Sequence, residues 1–233
     1  TAWMKYVEAC TIESKATTEP ADIKIEVARG GEYKIRLEDG TTVWLNSESS
    51  LIYPEKFTGD KRAVRLSGEG YFEVARDEKK PFIVSVTDME IKVLGTKFNV
   101  TAYQDEKMTT TTLISGAVEV VTPHRSVQLQ PGKQAMVQEG GDDITVLEVD
   151  VELATSWTAG IFKFDKMALT DICTRLSRWY DIDFVFEGET GKEKFTGGTW
   201  KYVPLKDFLS KIERVTNVLF LFENNTVKVV PKK

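Results

Sequence analysis

The residue types that could carry chemistry are few in this chain, and they stand apart from one another. The one histidine, His124, lies in the turn-like Thr122-Pro123-His124-Arg125. A Ser-His-Asp or Cys-His arrangement would have to run entirely through that imidazole, and nothing beside it suggests an oriented base. A metal centre of the double-stranded β-barrel kind needs several histidines and a carboxylate, which this chain cannot supply. Cys10 and Cys173 are far apart and lack metal-ligand spacing. Cys173 falls at an apolar helix position and reads as a small buried hydrophobe. A disulfide between the two would need an oxidising compartment and stays open at this point. Glu69 and Glu73 share one face of a strand, but paired glycosidase carboxylates usually come from separate strands or loops. Gly68-Glu69-Gly70 lacks the third glycine and following helix of a phosphate-binding fingerprint. Gly140-Gly141-Asp142-Asp143 lacks the alternating oxygens and closing glutamate of a calcium loop, so it reads as a solvated turn. Asn99-Val100-Thr101 and Asn224-Asn225-Thr226 match the glycosylation pattern at about the chance frequency. No catalytic residue, metal ligand or cofactor site is expected.

The elements that would position a site divide into two kinds. Residues 1–22 form a polar lead-in. From Ile23 to about Leu147 short alternating runs follow one another, among them Ile23–Val27, Tyr33–Leu37, Thr41–Leu45, Ala63–Leu66, Gly70–Ala75, Phe82–Val86, Met89–Val93, Lys97–Tyr103, Met108–Ile114 and Lys133–Gln138. Turn residues separate them at the spacing of sandwiches, barrels or solenoids, and no sustained helical period intervenes. After Trp157 the pattern changes. Leu169, Ile172, Cys173, Leu176 and Tyr180 mark one face of a helix, and Leu205, Phe208, Leu209, Ile212 and Val215 another, with Pro204 in its first turn. Residues 169–186 (LTDICTRLSRWYDIDFVF) repeat at 205–222 (LKDFLSKIERVTNVLFLF), each a helix followed by a strand. The expected architecture is a mainly β N-terminal domain over 23–150, sandwich- or solenoid-like. A small α+β domain over 156–233 follows, with two helices packed on one sheet.

Among 233 residues, 41% are hydrophobic and 29% charged, the balance of an ordinary globular protein large enough for two cores. The net charge of −5 argues against nucleic acid, which needs clustered cations. Residues 1–155 carry a net −8 and residues 156–233 a net +3, an asymmetry that supports a split near residue 155. No apolar run exceeds Val218–Phe222, too short to span a bilayer. Thr1 is not an ordinary native start, so an upstream segment is expected, and a missing membrane anchor is no sign of a cytoplasmic protein.

Several motifs recur in a specific order: Leu37-Glu-Asp-Gly-Thr-Thr-Val-Trp-Leu-Asn46, Leu51-Ile-Tyr-Pro54, Leu66-Ser-Gly-Glu-Gly-Tyr-Phe-Glu-Val74, Pro81-Phe82, Val93-Leu-Gly-Thr-Lys-Phe-Asn-Val100, Leu113-Ile-Ser-Gly-Ala-Val118 and Leu129-Gln-Pro-Gly-Lys133. The series resembles the FecR family. Trp157-x-x-Gly160-x-Phe162-x-Phe164 and the helix–strand repeat resemble the C-terminal domain of Bacteroidetes FecR-like proteins. One departure is Gly70, where alanine is usual. The resemblance implies a second domain similar to the secretin and TonB short N-terminal fold. It also implies the periplasmic region of a single-pass inner-membrane anti-sigma regulator. Such a region receives a signal from the N-terminal signalling domain of an outer-membrane TonB-dependent transducer. An extracytoplasmic-function sigma factor would be reached only through a cytoplasmic segment that this sequence lacks.

A receiver of this kind works through surfaces rather than reactive groups. Exposed sheet edges extend a partner's sheet, so the last strand, Thr226, Val227, Lys228, Val229 and Val230, is expected as a docking edge. Trp200 and Tyr202, just before the second helix, are expected as aromatic anchors. The alternative from a different class is a carbohydrate-binding or carbohydrate-active envelope protein, motivated by five Trp, seven Tyr and the all-β region. A purely structural envelope protein is the third reading.

Overall fold

The computed structural model describes residues 10–14, 22–87 and 89–232. The chain divides into two compact units between Thr155 and Ser156.

The first unit holds β1 (Cys10–Ser14), β2 (Asp22–Val27), β3 (Tyr33–Arg36), β4 (Thr42–Leu45), β5 (Ser49–Pro54), β6 (Arg62–Glu73), β7 (Phe82–Val86), β8 (Met89–Val93), β9 (Lys97–Ala102), β10 (Met108–Ser115), β11 (Val118–Val121), β12 (Ser126–Leu129), β13 (Lys133–Gln138), β14 (Ile144–Glu148) and the short helix α1 (Val151–Thr155). All fourteen strands join one hydrogen-bonded sheet. Period-two alternation sets the inward face, as in β5 and β6, where buried and part-exposed residues alternate. Ile25, Val43, Leu45, Leu51, Phe72, Phe82, Val84, Ile91, Phe98, Val100, Leu113 and Val120, among others, close into one core.

The strand that organises this unit is β6. Its first half pairs with β5 and, in parallel, with β7; its second half pairs with β4 and β9. The turn expected between Ala63–Leu66 and Gly70–Ala75 does not exist. Ser67-Gly68 instead forms a corner inside one continuous strand. Gly68 has φ +90°, and a Cβ there would lie 2.4 Å from Ser49 Oγ and 2.7 Å from Ser49 Cα. Only glycine permits both the backbone and the approach. The lead-in also contributes: β1 pairs antiparallel with β2.

The second unit holds a 3-10 turn (Ser156–Ala159), β15 (Ile161–Ala168), α2 (Leu169–Tyr180), β16 (Asp183–Phe186), β17 (Lys194–Trp200), α3 (Leu205–Val215), β18 (Val218–Glu223) and β19 (Thr226–Pro231). The expected helix faces are the buried ones: Leu169, Ile172, Cys173 and Leu176 on α2, and Leu205, Phe208, Leu209 and Ile212 on α3. They share a core with Phe162, Phe164, Val218, Phe220, Val227 and Val229. The helix-backed sheet is three-stranded, ordered β16-β19-β18, while β15 and β17 pair with each other as a separate ribbon. The two repeat copies therefore place their strands, β16 and β18, on either side of β19.

That order corrects one expectation. The last strand is not an edge. It pairs in parallel with β16 through Asp183↔Thr226 to Phe186↔Val229, and antiparallel with β18 through Val218↔Pro231 to Glu223↔Thr226. The backbone of Thr226, Val227, Lys228 and Val229 is engaged on both sides, Val230 pairs with Leu219 of β18, and Val227 and Val229 are fully buried.

Candidate interaction surfaces

The groups singled out for reactivity are held apart, each by its own partners. Glu69 accepts from Asn46 Nδ2 at 2.7 Å, Asn99 Nδ2 at 3.0 Å and Thr101 Oγ1 at 3.2 Å. These residues come from the first unit's loop after β4, from β6 and from β9, so the carboxylate works as a pin between strands. Glu73 accepts from Lys97 Nζ at 2.9 Å and Tyr71 OH at 3.3 Å. Burial, with the Glu73 charge and hydrogen bond adding to it, pushes the Tyr71 phenol up to about 12. His124 lies 3.6 Å from Asp142, and Arg125 lies 3.1 Å from Asp143, so the 140–143 turn closes on neighbouring side chains. The Cys173 thiol is free and buried, and burial raises its pKa far above the usual thiol range. The side chain of Cys10 lies outside the described residues. Among the described residues, no group of three or more His, Cys, Asp or Glu is placed to hold a metal.

The half-buried Trp44–Tyr71 pair of the first unit does not lie open. Its rings meet edge to face at 5.3 Å, and Lys34 Nζ sits over the Trp44 ring at 4.3 Å. Sugar stacking needs a bare ring face, so the carbohydrate reading gains nothing from it. A groove of about 580 Å³ opens elsewhere in this unit, where β8 and β11 fork beyond Glu119↔Lys92, with Val93, Leu94, Ala117 and Val118 in its wall.

One buried ion pair in the first unit escaped the sequence reading. Arg62, 2% exposed, donates from Nη1 to Asp39 Oδ2 at 2.7 Å and to the Ala75 carbonyl at 2.8 Å, and from Nε to the Lys80 carbonyl at 2.9 Å. Asp39 also accepts from Thr41 N–H and Oγ1. Glu-Asp-Gly reads as a turn, and no signal in it points to an arginine 23 residues away.

The second unit presents the aromatic residues that sequence singled out. Trp200 is 61% exposed and Tyr202 65%. Their placement follows from what lies beneath. Lys201 is fully buried, with its Nζ 4.1 Å from the Trp179 ring centre and 5.5 Å from that of Phe162. The Lys201 carbonyl accepts from Trp179 Nε1 at 2.7 Å and Tyr180 OH at 3.1 Å. With residue 201 fixed inward, its neighbours 200 and 202 are turned outward. Tyr202 packs edge-on against Trp179 at 5.8 Å, whereas Trp200 ends β17 with most of its ring in solvent.

β17 itself was missed as a surface, although Phe195-Thr-Gly-Gly-Thr-Trp200 carries the signal. It pairs on one side only, with β15. Lys194, Thr196, Gly197, Gly198 and Trp200 are all exposed. The two edges of the three-stranded sheet are less open. The outward N–H of Phe220 on β18 is taken by the Glu213 carboxylate at 2.8 Å. Beside β16, the following turn brings Gly191 so close that a Cβ there would sit 3.0 Å from the Phe186 ring.

The similarities to known proteins follow this division. A family model described as FecR protein matches residues 23–119, and one described as FecR, C-terminal, matches residues 161–229. Two crystal structures, at 1.65 and 2.50 Å, of a candidate anti-sigma factor from Parabacteroides distasonis share 30% identity and a TM-score of 0.84 with this chain. The first match covers 90% of this chain and 99% of that one; the second covers 91% and 100%. The chain belongs to the FecR family. No curated protein matches it in sequence. FecR proteins are regulators. The departure at Gly70 has a local cause in this FecR member: a Cβ there would meet the buried Phe72 ring at 2.9 Å, in space an alanine methyl would need. Among the described residues no helix is long and apolar enough to cross a membrane.

Proposed function

We propose that this chain is the periplasmic receiving region of a membrane-anchored anti-sigma regulator. It binds the N-terminal signalling domain of an outer-membrane TonB-dependent transducer and so controls an extracytoplasmic-function sigma factor. The observation that carries this reading is the pair of FecR domains in order along the chain, the second of which holds Trp200 and Tyr202 out in solvent on a rigid base. Large aromatics held in place but uncovered lose little entropy on binding, which is why they dominate interface energetics. No catalytic step belongs to this function. Contact alone transmits the signal.

Calorimetry of the chain against the signalling domain of the transducer encoded beside it tests the reading. Saturable heat with a Kd in the micromolar range or below is expected. No heat at high concentration of both proteins counts decisively against it.

A further inference from the structure

The free edge of β17 combines bare backbone, an exposed aromatic and unpaired cations. The Lys201 N–H donates to the Gly160 carbonyl at 2.9 Å, and the Leu169 N–H donates to the Glu193 carbonyl at 2.9 Å. Odd-numbered residues of β17 therefore face β15. Strand alternation turns the N–H groups of Thr196, Gly198 and Trp200, and the carbonyls of Thr196 and Gly198, away from it. Nothing shields them by bulk. A Cβ at Gly197 would touch nothing within 4 Å, and Gly198 has no side chain because a Cβ there would lie 2.7 Å from the Phe162 carbonyl oxygen. The register shift on this pairing lies in β15, around Lys166 with φ +45°.

Charge and shape add direction to this edge. At its start a cleft of about 370 Å³ lies between Glu193, Lys194 and Phe195 and the end of α3, Arg214, Val215, Thr216 and Asn217. Two cations and one acid line it, and neither Lys194 nor Arg214 has an ion-pair partner among the described residues. Val215 is 75% exposed. At the other end of the strand stands Trp200. An extended segment with acidic residues toward one end and an apolar one toward the other would meet cations first and the indole last.

We infer that β17 is a strand-addition edge that receives an extended acidic segment of the partner protein, with Trp200 as its apolar anchor and Lys194 and Arg214 as its charge guide. The inference rests on the receiver function proposed above and names the surface through which it acts. Main-chain hydrogen bonds along the edge give affinity, and the flanking side chains give register.

Amide hydrogen exchange read by NMR on the full chain, with and without the transducer's signalling domain, separates the outcomes. The N–H groups of Thr196, Gly198 and Trp200 are expected to exchange freely in the chain alone and to slow at least about tenfold in the complex, while those of Phe195, Gly197 and Thr199 change little. Trp200→Ala and, separately, Lys194→Glu are expected to weaken binding by about tenfold or more without altering the far-ultraviolet circular dichroism. Binding that leaves the three outward amides unprotected overturns the edge while the receiver function stands. Undiminished binding by both variants also overturns it. Failure of the unmodified chain to bind overturns the function and this inference together.

Discussion

Asp39 shows how much one side chain can hold in this protein. Its carboxylate neutralises a guanidinium that is almost wholly buried and at the same time closes the Thr41 turn. Removing it leaves the Arg62 charge without a counter-ion in a low-dielectric interior, and a stranded buried charge costs about 3–5 kcal/mol. Asp39→Ala is therefore expected to lower the stability of the first unit by that amount, read from the urea midpoint at constant m. Asp142→Ala makes the contrast. It removes a contact to an exposed imidazole and should shift the midpoint by less than about 0.5 kcal/mol. Glu69 sits between these extremes: half-covered, it draws two asparagines and a threonine to one point, which explains a carboxylate in mid-strand without any catalytic role.

At the scale of elements, the edges decide behaviour. β18 exposes Leu219 and Leu221 on one face, 37% and 46%, and carries Phe222, one residue before its end, at 43%. An apolar edge strand of this kind invites pairing with another chain. Glu213 blocks it by accepting the Phe220 N–H. Glu213→Ala is expected to cost only about 1 kcal/mol in stability but to raise self-association, seen as concentration-dependent mass in light scattering. A monomer at all concentrations would show that the carboxylate is not the block.

The same elements show what sequence can and cannot reveal. Helix faces and hairpins were legible because they are local: Leu169 to Leu176 recur at helical steps, and Asn224-Asn225 closes β18 onto β19 with Asn224 at φ +53°. Strand neighbours were not. Alternation says that Val227 and Val229 point inward but not that β16 arrives in parallel on the far side of β19. The Ser67-Gly68 corner was read as a turn because glycine marks both. Trp200 and Tyr202 could be singled out because aromatic side chains stand out in a sequence, whereas the glycines of Phe195-Thr-Gly-Gly-Thr-Trp200 signal an open strand only once β15 is known to be its one neighbour.

In the whole molecule the two cores draw on separate stretches of chain. Residues 25–137 supply one and residues 162–229 the other. Residues 156–233 are therefore expected to fold alone, with a cooperative thermal transition and the same far-ultraviolet spectrum they contribute to the full chain. A core of fourteen buried residues in so short a segment puts that fragment near the lower limit of autonomous stability. A broad, non-cooperative melt would mean that the second unit depends on the first. If it folds, the exchange and binding measurements can be repeated on it, and the contribution of each unit to partner recognition read separately.

The threading of β6 sets a timetable for the first unit. A strand that must acquire four partners, drawn from residues 42 to 102, cannot be completed by local zippering, because its last neighbour lies some thirty positions downstream. As the chain emerges N-terminus first, its opening hairpins must wait, half-assembled, for β9 to arrive and lock them. The slow event in maturation is then the docking of Lys97–Ala102, and a lesion there should leave the earlier strands formed but unsealed.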